Sequence, residues 1–408
     1  MTNRRKFLRA TIGVAVLGGT LPSAFMQAAA AQALPALGSS IDPENVLVVV
    51  QMAGGNDGLN TIVPWSDDAY HRVRPVIGIA PNAVLKVSDR IGFNPALAGM
   101  YELYQEGRVA LVQGVGYPHP NRSHFEATQI WETASPDRPI ATGWVGRYLD
   151  RRYPSGTKAP LFEAVALGDT LPTALIAQHV DVAAIGALNS YAYNTVKDVK
   201  VSAGVLYDGA QPGQSPYLGM IADTARQAYH GGDVLRAQIA SYTPALTYPT
   251  DAFSNQLKLA AQLIGSRTGT RIVFVSIGSF DTHANQRAQQ DRLLKYLGDG
   301  LHAFYTDLAA HGLDKRVLTL TFSEFGRRVN QNASNGTDHG TAMPLFAIGG
   351  AVKGGVYGEH PSLTDLDANS DLTFHTDFRS VYATVLEKWL GRRSQDVLGG
   401  TFEKLPIV

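Results

Sequence analysis

Short runs of aliphatic and β-branched residues alternate with longer amphipathic stretches through most of the chain. The clearest predicted strands cover residues 46–51, 109–113, 271–277, 317–322 and 345–348. Helices are predicted over residues 96–105, 123–133, 216–229, 252–264, 286–310 and 377–390. This alternation is typical of an α/β protein with a largely parallel sheet. The functional residues of such a fold gather where the strands end at their carboxyl termini.

The first 33 residues predict an export signal rather than part of the fold. They contain four cations and no acid, followed by an apolar Gly/Ala-rich stretch over residues 10–26 and the small-residue site Ala31-Gln32-Ala33. The segment Asn3-Arg4-Arg5-Lys6-Phe7-Leu8 is similar to the twin-arginine motif, whose export machinery moves folded proteins. A membrane helix over 10–26 is the alternative, but the run is short and broken by glycine. We expect a periplasmic or secreted protein.

The remaining residues, 34–408, predict a single domain with a helical insertion at about 215–267. The whole chain has 35 basic and 35 acidic residues, which argues against nucleic-acid or lipid binding through bulk charge. It has no cysteine, which excludes disulfides, thiol nucleophiles and iron–sulfur ligation. Any metal must therefore be held by oxygen and imidazole ligands. We expect no stable membrane span in the mature protein.

Acids and histidines follow the predicted strands at the positions where parallel strand ends meet. Each has a local structural explanation: the segment around Asp57 can be a turn, and Asp281 can cap the helix that follows it. Together, however, these carboxylates would repel one another, by roughly 4 kcal/mol for two that lie about 4 Å apart. One or two bound divalent ions would relieve this repulsion, and Zn, Mn, Fe, Ca and Mg all fit such ligands. The predicted metal ligands are Asp57, Asp281, His283, Glu324, Asp338 and His339.

A candidate nucleophile follows the predicted strand 109–113. Ser123 is expected at a helix start, where backbone N–H groups favour an anionic substrate. Arg122 and His124 flank it as an anion-binding group and a proton carrier. The alternative is a capping box between Ser123 and Glu126, in which the hydroxyl only completes the helix terminus.

Several of these segments resemble the exported bacterial family called domain of unknown function 1501. The resemblance lies in 54–60 (GGNDGLN), 121–125 (NRSHF), 280–283 (FDTH), 322–327 (FSEFGR), 336–340 (GTDHG) and 377–379 (DFR). That family is grouped with the alkaline phosphatase and sulfatase superfamily. The resemblance implies a doubly wound core with helices on both faces of the sheet, two metals at the carboxyl strand ends, and a nucleophile between them.

Under this resemblance, Asp57 corresponds to the first-strand metal ligand and Ser123 to the nucleophile. The superfamily's Asp-plus-His pair corresponds to Asp281 and His283, although one residue separates them where three are usual.

A late Asp-His pair has two possible counterparts, Glu324-Phe325 by position and Asp338-His339 by residue type. His339 also resembles the last histidine ligand of the superfamily. One metal site is therefore expected to be altered. Sulfatase chemistry through formylglycine is not expected, because Cys and the Ser-x-Pro-x-Arg pattern are both missing from the sequence.

The sequence thus predicts an exported metal-dependent hydrolase of phosphate or sulfate esters that acts on a small anionic substrate. Ser123 or a metal-activated water would attack, and Asn56, Arg122 and Arg327 would bind the anion. The alternative is a binding or assembly protein that keeps the fold and a degenerate metal site. A metallopeptidase or amidohydrolase ranks last, since the His-Glu-x-x-His motif is missing.

Overall fold

The computed structural model describes residues 45–160, 162–186, 235–266 and 268–408. The predicted export signal, the predicted helix 216–229 and the first part of the predicted insertion lie outside these ranges. In the described part of that insertion, residues 235–239 and 252–265 are helical.

Twelve strands are present in the described part of the chain. In chain order they are β1 (Val46–Met52), β2 (Ile62–Val63), β3 (Leu85–Lys86), β4 (Gly92–Phe93), β5 (Val109–Gly116), β6 (Ala164–Leu167), β7 (Ala183–Ala184), β8 (Ile272–Ile277), β9 (Val317–Phe322), β10 (Met343–Ile348), β11 (Gly355–Tyr357) and β12 (Thr376–Asp377). Strands β2, β4 and β3 form a small antiparallel sheet of their own.

The other nine strands form the main sheet. Its order is β11-β5-β10-β9-β1-β8-β6-β7, with β12 also pairing with β5. Strand β1 lies between β8 and β9 and is parallel to both. Strand β10 runs antiparallel to its neighbours β5 and β9, so β5, β9, β1 and β8 all point the same way. The loops that follow these four strands therefore begin at one edge of the sheet, and the loop that leads into β10 ends there.

Alternation along the strands divides the core into two layers. In β1, Val46, Val48 and Val50 pack in one buried cluster, whereas Leu47 and Val49 pack in another on the opposite face. A strand buried on both faces is apolar throughout, and this is the pattern by which the central strands are recognisable in the sequence.

Helices cover both layers. Their bounds are α1 (Gly58–Thr61), α2 (Asp68–Val73), α3 (Ala98–Gln105), α4 (His124–Thr133), α5 (Trp144–Arg152), α6 (Ala252–Gly265), α7 (Gln286–Ala310), α8 (Phe378–Thr384) and α9 (Gln395–Leu398), and a π-helical turn follows α8 over Val385–Trp389. Helices α3, α6 and α7 pack on the face of Val48, and α4, α5 and α8 pack on the face of Val49. The structure thus confirms the predicted α/β class, with a doubly wound, largely parallel sheet and helices on both faces.

The sequence predicted the five longest strands and missed the short ones. Strands β6, β7, β11 and β12 have two to four residues each, too few to show a period. The predicted helix 377–390 is a helix and a π-helical turn in succession. None of the helices in the described ranges combines the length and apolar character needed to cross a membrane.

Candidate functional site

The predicted site residues lie on loops at the carboxyl edge of the main sheet. The loop between β9 and β10 folds back on itself, with Arg327 and His339 opposite each other in an antiparallel bridge, so its beginning and its end lie together. The structure brings four side chains together around Asp281: one from the first residue of α4, two from the loop after β8 and one from the loop before β10. We refer to His124, Asp281, His283 and His339 as the Asp281 cluster.

Three imidazole nitrogens surround the carboxylate of Asp281. Its Oδ1 atom lies 2.9 Å from Nε2 of His283 and 3.3 Å from Nε2 of His339. Its Oδ2 atom lies 3.5 Å from Nε2 of His124. The Nε2 atoms of His283 and His339 are themselves 2.9 Å apart. One ligand atom each from His124, Asp281 and His339 lie within 4.8 Å of one another, so these residues could hold a metal ion.

The second ring nitrogen of each histidine faces a hydrogen-bond acceptor. Nδ1 of His124 lies 2.8 Å from Oε1 of Glu324. Nδ1 of His339 lies 2.8 Å from the carbonyl oxygen of Arg122, and Nδ1 of His283 lies 3.4 Å from Oδ1 of Asp338. A carbonyl or carboxylate oxygen can only accept, so each Nδ1 carries the proton. In the neutral rings, every Nε2 therefore presents a lone pair toward Asp281.

Lone pairs that face a carboxylate repel it unless a proton or a cation lies between them. Nε2 of His124 is buried and has no hydrogen-bond partner among the described residues. The pKa of His339 is lowered, chiefly by burial and also by the charge of Arg327, which favours its neutral form. Histidines that ligate metals usually donate their other N–H to a carboxylate or a carbonyl, as these three do. The arrangement therefore fits a bound cation.

Arg327 ties the loops of the site together. Its guanidinium is buried and donates to the carbonyl oxygens of Gly54, Gly55 and Thr337, and its Nη2 lies 2.7 Å from Oδ1 of Asp281. Burial alone would raise the pKa of Asp281, but the hydrogen bond and charge of Arg327 lower it to about 2. The predicted role of Arg327 was substrate binding. All its nitrogens are instead engaged within the protein, so we assign it a positioning role.

Asp57 lies in a separate buried network. Its carboxylate pairs with Arg74 at 2.6 Å, accepts a hydrogen bond from the side chain of Gln286, and caps α1 through the N–H of Asn60. The predicted metal ligand thus has its oxygens already occupied, and it is not a member of the Asp281 cluster. We assign it the positioning of the loop after β1.

Asn56 belongs to the same buried region. Its side chain exchanges hydrogen bonds with the hydroxyl of Thr61, and its backbone N–H donates to Ser323. It is 1% exposed, so this conformation leaves it no access to a substrate. Its predicted substrate-binding role therefore does not fit, because its polar atoms are used to hold the loop.

Glu324 and Asp338 lie behind the cluster rather than within it. Glu324 is 2% exposed and contacts His124, while its Oε1 also accepts the N–H of Gly54. Asp338 contacts His283 and accepts a hydrogen bond from Asn332, which is the first cause of its lowered pKa. Both residues, predicted as ligands, face the Nδ1 atoms of histidines and orient those rings.

Ser123 is the N-cap residue of α4, but its hydroxyl makes no capping hydrogen bond. Asn121 accepts the N–H of Ser123 instead, at 2.7 Å, and the Nδ2 of Asn121 contacts Glu126. The capping-box alternative is therefore wrong, because both of its expected partners are engaged elsewhere. Ser123 is exposed and directly precedes His124 of the cluster.

Arg122 points away from the cluster. Its Nη1 lies 3.0 Å from Oδ2 of the fully buried Asp371. Its carbonyl, by contrast, faces the cluster through His339. Asp371 could not be recognised in the sequence because no motif surrounds it. The predicted role of His124 was proton transfer, because its link to Asp281 joins residues 157 positions apart.

No curated protein matches this chain. Three solved structures resemble it at low identity. The first is a protein in the alkaline phosphatase superfamily from Vibrio parahaemolyticus, 9% identical with a TM-score of 0.40, covering 86% of this chain and 69% of the other. PsFucS1 sulfatase from Pseudoalteromonas sp. is 10% identical with a TM-score of 0.40, covering 89% and 71%. The phosphonate monoester hydrolase of Agrobacterium radiobacter is 13% identical with a TM-score of 0.31, covering 87% and 78%.

A protein-family model described as protein of unknown function (DUF1501) matches residues 113–397. The match begins within β5 and contains every member of the Asp281 cluster, together with Ser123, Glu324 and Asp338. It covers well over half of the sequence and confirms the resemblance carried by the motifs. The chain belongs to the DUF1501 family.

Proposed function

We propose that this protein is a metal-dependent hydrolase of small phosphate or sulfate esters. The observation that carries the proposal is the convergence of three histidine Nε2 atoms on one carboxylate, with every Nδ1 held by an acceptor. The superfamily resemblance seen in the sequence motifs supports the choice of esters.

In this proposal His124, His283, His339 and Asp281 hold a single ion. Three imidazoles and one carboxylate are a donor set that suits Zn, Mn or Fe better than Ca or Mg, which prefer oxygen ligands. A bound ion would supply Lewis-acid polarisation of the ester and would lower the pKa of a coordinated water. The protein's contribution is to fix the rings: Glu324, Asp338 and the Arg122 carbonyl hold the protons on Nδ1.

The nucleophile is Ser123 or a water molecule. The Ser123 hydroxyl is exposed and free of a capping bond, and it stands at the amino end of the ten-residue helix α4. Backbone N–H groups in the first turn of a helix favour an anion placed there. Arg122 and Arg327 are engaged within the protein, so we assign anion binding to this helix end and to the positive charge of the metal centre.

The engagement of both arginines also favours a second candidate, a non-catalytic binding or assembly protein on the same fold. Phosphate and sulfate sites in enzymes commonly contain a free arginine, because its planar donors match these anions. In the second candidate, the Asp281 cluster holds a metal that stabilises the loops without turnover.

We further propose that the protein is exported folded by the twin-arginine machinery, on the basis of its first 33 residues. Cell fractionation of the full chain tests this. We expect the protein in the periplasm or the medium, and we expect retention in the cytoplasm when both Arg4 and Arg5 are replaced by lysine. Export unaffected by that change would contradict the assignment.

Ester hydrolysis is tested with aryl phosphate monoesters, diesters and sulfates, on wild type, Ser123→Ala and His283→Ala. We expect His283→Ala to abolish activity. Loss of hydrolytic activity in Ser123→Ala would identify the Ser123 hydroxyl as the nucleophile. Retention of activity in this variant would identify a water molecule as the nucleophile. A wild type that binds metal but hydrolyses none of these esters would favour the binding protein. Activity unchanged in His283→Ala would contradict the proposed site.

A further inference from the structure

Phe125 is the most exposed large hydrophobic side chain among the described residues. It is 81% exposed, and the next, Val76, is 60% exposed. A single exposed apolar side chain is common on protein surfaces and by itself indicates nothing. The position of Phe125 is what matters, because it follows Ser123 and His124 directly in the first turn of α4.

Helix geometry directs the Phe125 side chain toward the end of α4 at which we place the substrate anion. In an α-helix each Cα–Cβ bond is tilted toward the amino end, so a side chain covers the surface over the preceding turn. Phe125 is the second residue of α4, so no full turn precedes it. Its side chain therefore extends toward the amino end of the helix, where Ser123 lies.

The two residues are close enough to contact one small ligand. Consecutive Cα atoms are about 3.8 Å apart, so the Cα atoms of Ser123 and Phe125 lie within about 7.6 Å of each other. An organic group bonded to the atom that Ser123 attacks can therefore contact the Phe125 ring. The same holds when water attacks an ester whose anion lies at this helix end.

The Asp281 cluster is open to solvent, so the ester is not enclosed there. The side chains of His124, Asp281 and His283 are 36%, 44% and 45% exposed. An organic group at such a centre contacts the protein on one side only. Within the first turn of α4, Glu126 is also exposed but is bound by Asn121, which leaves Phe125 as the apolar surface next to Ser123.

We infer that Phe125 is a specificity-determining residue whose ring packs against the organic group of the ester. This inference rests on the proposed function, because it assigns a further contact to the same substrate. Burial of apolar surface against an aromatic ring favours a bulky apolar group over a methyl group. Because the contact is one-sided, we expect a preference of about tenfold for aryl over methyl esters.

Analogues that cannot be hydrolysed test this contact without turnover. The probes are naphthalene-2-phosphonate with methylphosphonate, and naphthalene-2-sulfonate with methanesulfonate, titrated by calorimetry into zinc-saturated protein. In at least one pair, wild type should bind the naphthyl compound about tenfold or more tighter than the methyl compound. In Phe125→Ala, the affinity for the naphthyl compound should fall by about tenfold, and that for the methyl compound should stay within about twofold.

Two further variants separate a contact from a structural role. Phe125→Trp keeps an aromatic surface and should retain the naphthyl preference. Val356→Ala removes another exposed apolar side chain, at 39% exposure, on a strand that pairs with Leu111 away from the carboxyl end of β5, and it should bind both compounds as wild type does. Because Phe125 is exposed, Phe125→Ala should unfold at the same urea concentration as wild type.

Activity assays provide the second arm. Phe125→Ala should raise KM for 2-naphthyl esters by about tenfold with kcat unchanged, because the contact is made equally in the ground state and the transition state. Both constants for methyl esters should stay as in wild type.

The two proposals fail in different ways. Naphthyl binding that depends on Phe125, without hydrolysis of any ester, retains the contact and overturns only the hydrolase. Ester hydrolysis with a naphthyl preference that survives in Phe125→Ala overturns the role of Phe125 and retains the hydrolase. Equal affinity of wild type for the naphthyl and methyl compounds, or no binding of any of the four probes, also overturns the role of Phe125.

Discussion

At the scale of single residues, each histidine of the cluster uses its two ring nitrogens differently. One nitrogen donates to an acceptor that fixes the ring, and the other faces Asp281. The types of these residues and their positions after strands could be read from the sequence. The buried partners of Asp57 and Arg122 could not, because Arg74 and Asp371 follow no motif and are 17 and 249 residues away from their partners.

Glu324 should set metal affinity without being a ligand. We expect Glu324→Gln to weaken zinc binding by about 10–100-fold, because the amide is a poorer acceptor for His124 and leaves its ring less basic. Competition with a chromophoric chelator measures this. Glu403→Gln, a control at an exposed position, should bind zinc with the same affinity as wild type. Equal affinity in Glu324→Gln would show that the contact with His124 does not support the metal.

Glu132 should make stability depend on pH. Burial raises its pKa to about 7 from 4.5, although hydrogen bonds from Thr173 and Ala174 oppose the shift. Because the folded-state pKa lies above the unfolded one, the charged form destabilises the fold. This penalty is absent below about pH 4.5, grows toward pH 7 and then stays constant, at roughly 3 kcal/mol.

Glu132→Gln removes this titration. The free energy of unfolding of the variant, relative to that of wild type, should be higher at pH 8 than at pH 5 by roughly 1–3 kcal/mol in urea denaturation, because only wild type carries a buried charge at pH 8. Any hydrogen bonding that the amide loses is the same at both pH values and cancels in this difference. Glu403→Gln should show no such difference. A Glu132→Gln effect that is equal at both pH values would contradict the raised pKa.

At the scale of elements, the site depends on parallel strands ending at one edge. Strands β1, β5, β8 and β9 were predictable as long apolar runs, so the meeting of their loops was too. The reversed direction of β10 was not predicted, because direction has no signature in the composition of a strand. It explains why Arg327 and His339, at opposite ends of one loop, lie side by side.

Gly54 sets the distance between the loops after β1 and β8. Its φ is +118°, and a Cβ there would lie 2.4 Å from the backbone nitrogen of Asp281. We expect Gly54→Ala to displace Asp281, to weaken zinc binding by about tenfold or more, and to destabilise the fold by roughly 1–3 kcal/mol.

Gly278→Ala is the matched control, since Gly278 lies in the loop after β8 and no heavy atom lies within 4 Å of its Cβ position. Zinc titration and urea denaturation of both variants measure the effect. Similar behaviour of the two would show that the close approach of these loops is unimportant.

At the scale of the whole molecule, two apolar layers, one on each face of the main sheet, support the loops of the site at one edge of the sheet. A metal that binds the folded state alone adds to its stability by mass action. At free zinc of 100 times Kd, the gain should be about 2.7 kcal/mol, and EDTA should reverse it. His302→Ala, which lies outside the cluster, should gain as much stability from zinc as wild type does, and His283→Ala should gain little. A gain of equal size in His283→Ala would place the stabilising metal elsewhere.

The most direct test is the metal content of natively produced protein, measured by mass spectrometry of the purified chain against protein concentration. The Asp281 cluster predicts about one transition-metal ion per chain in wild type and in His302→Ala, and much less than one in His124→Ala, His283→Ala and His339→Ala. Wild type without bound metal, or a full complement retained in all three variants, would contradict the metal centre on which the proposed function depends.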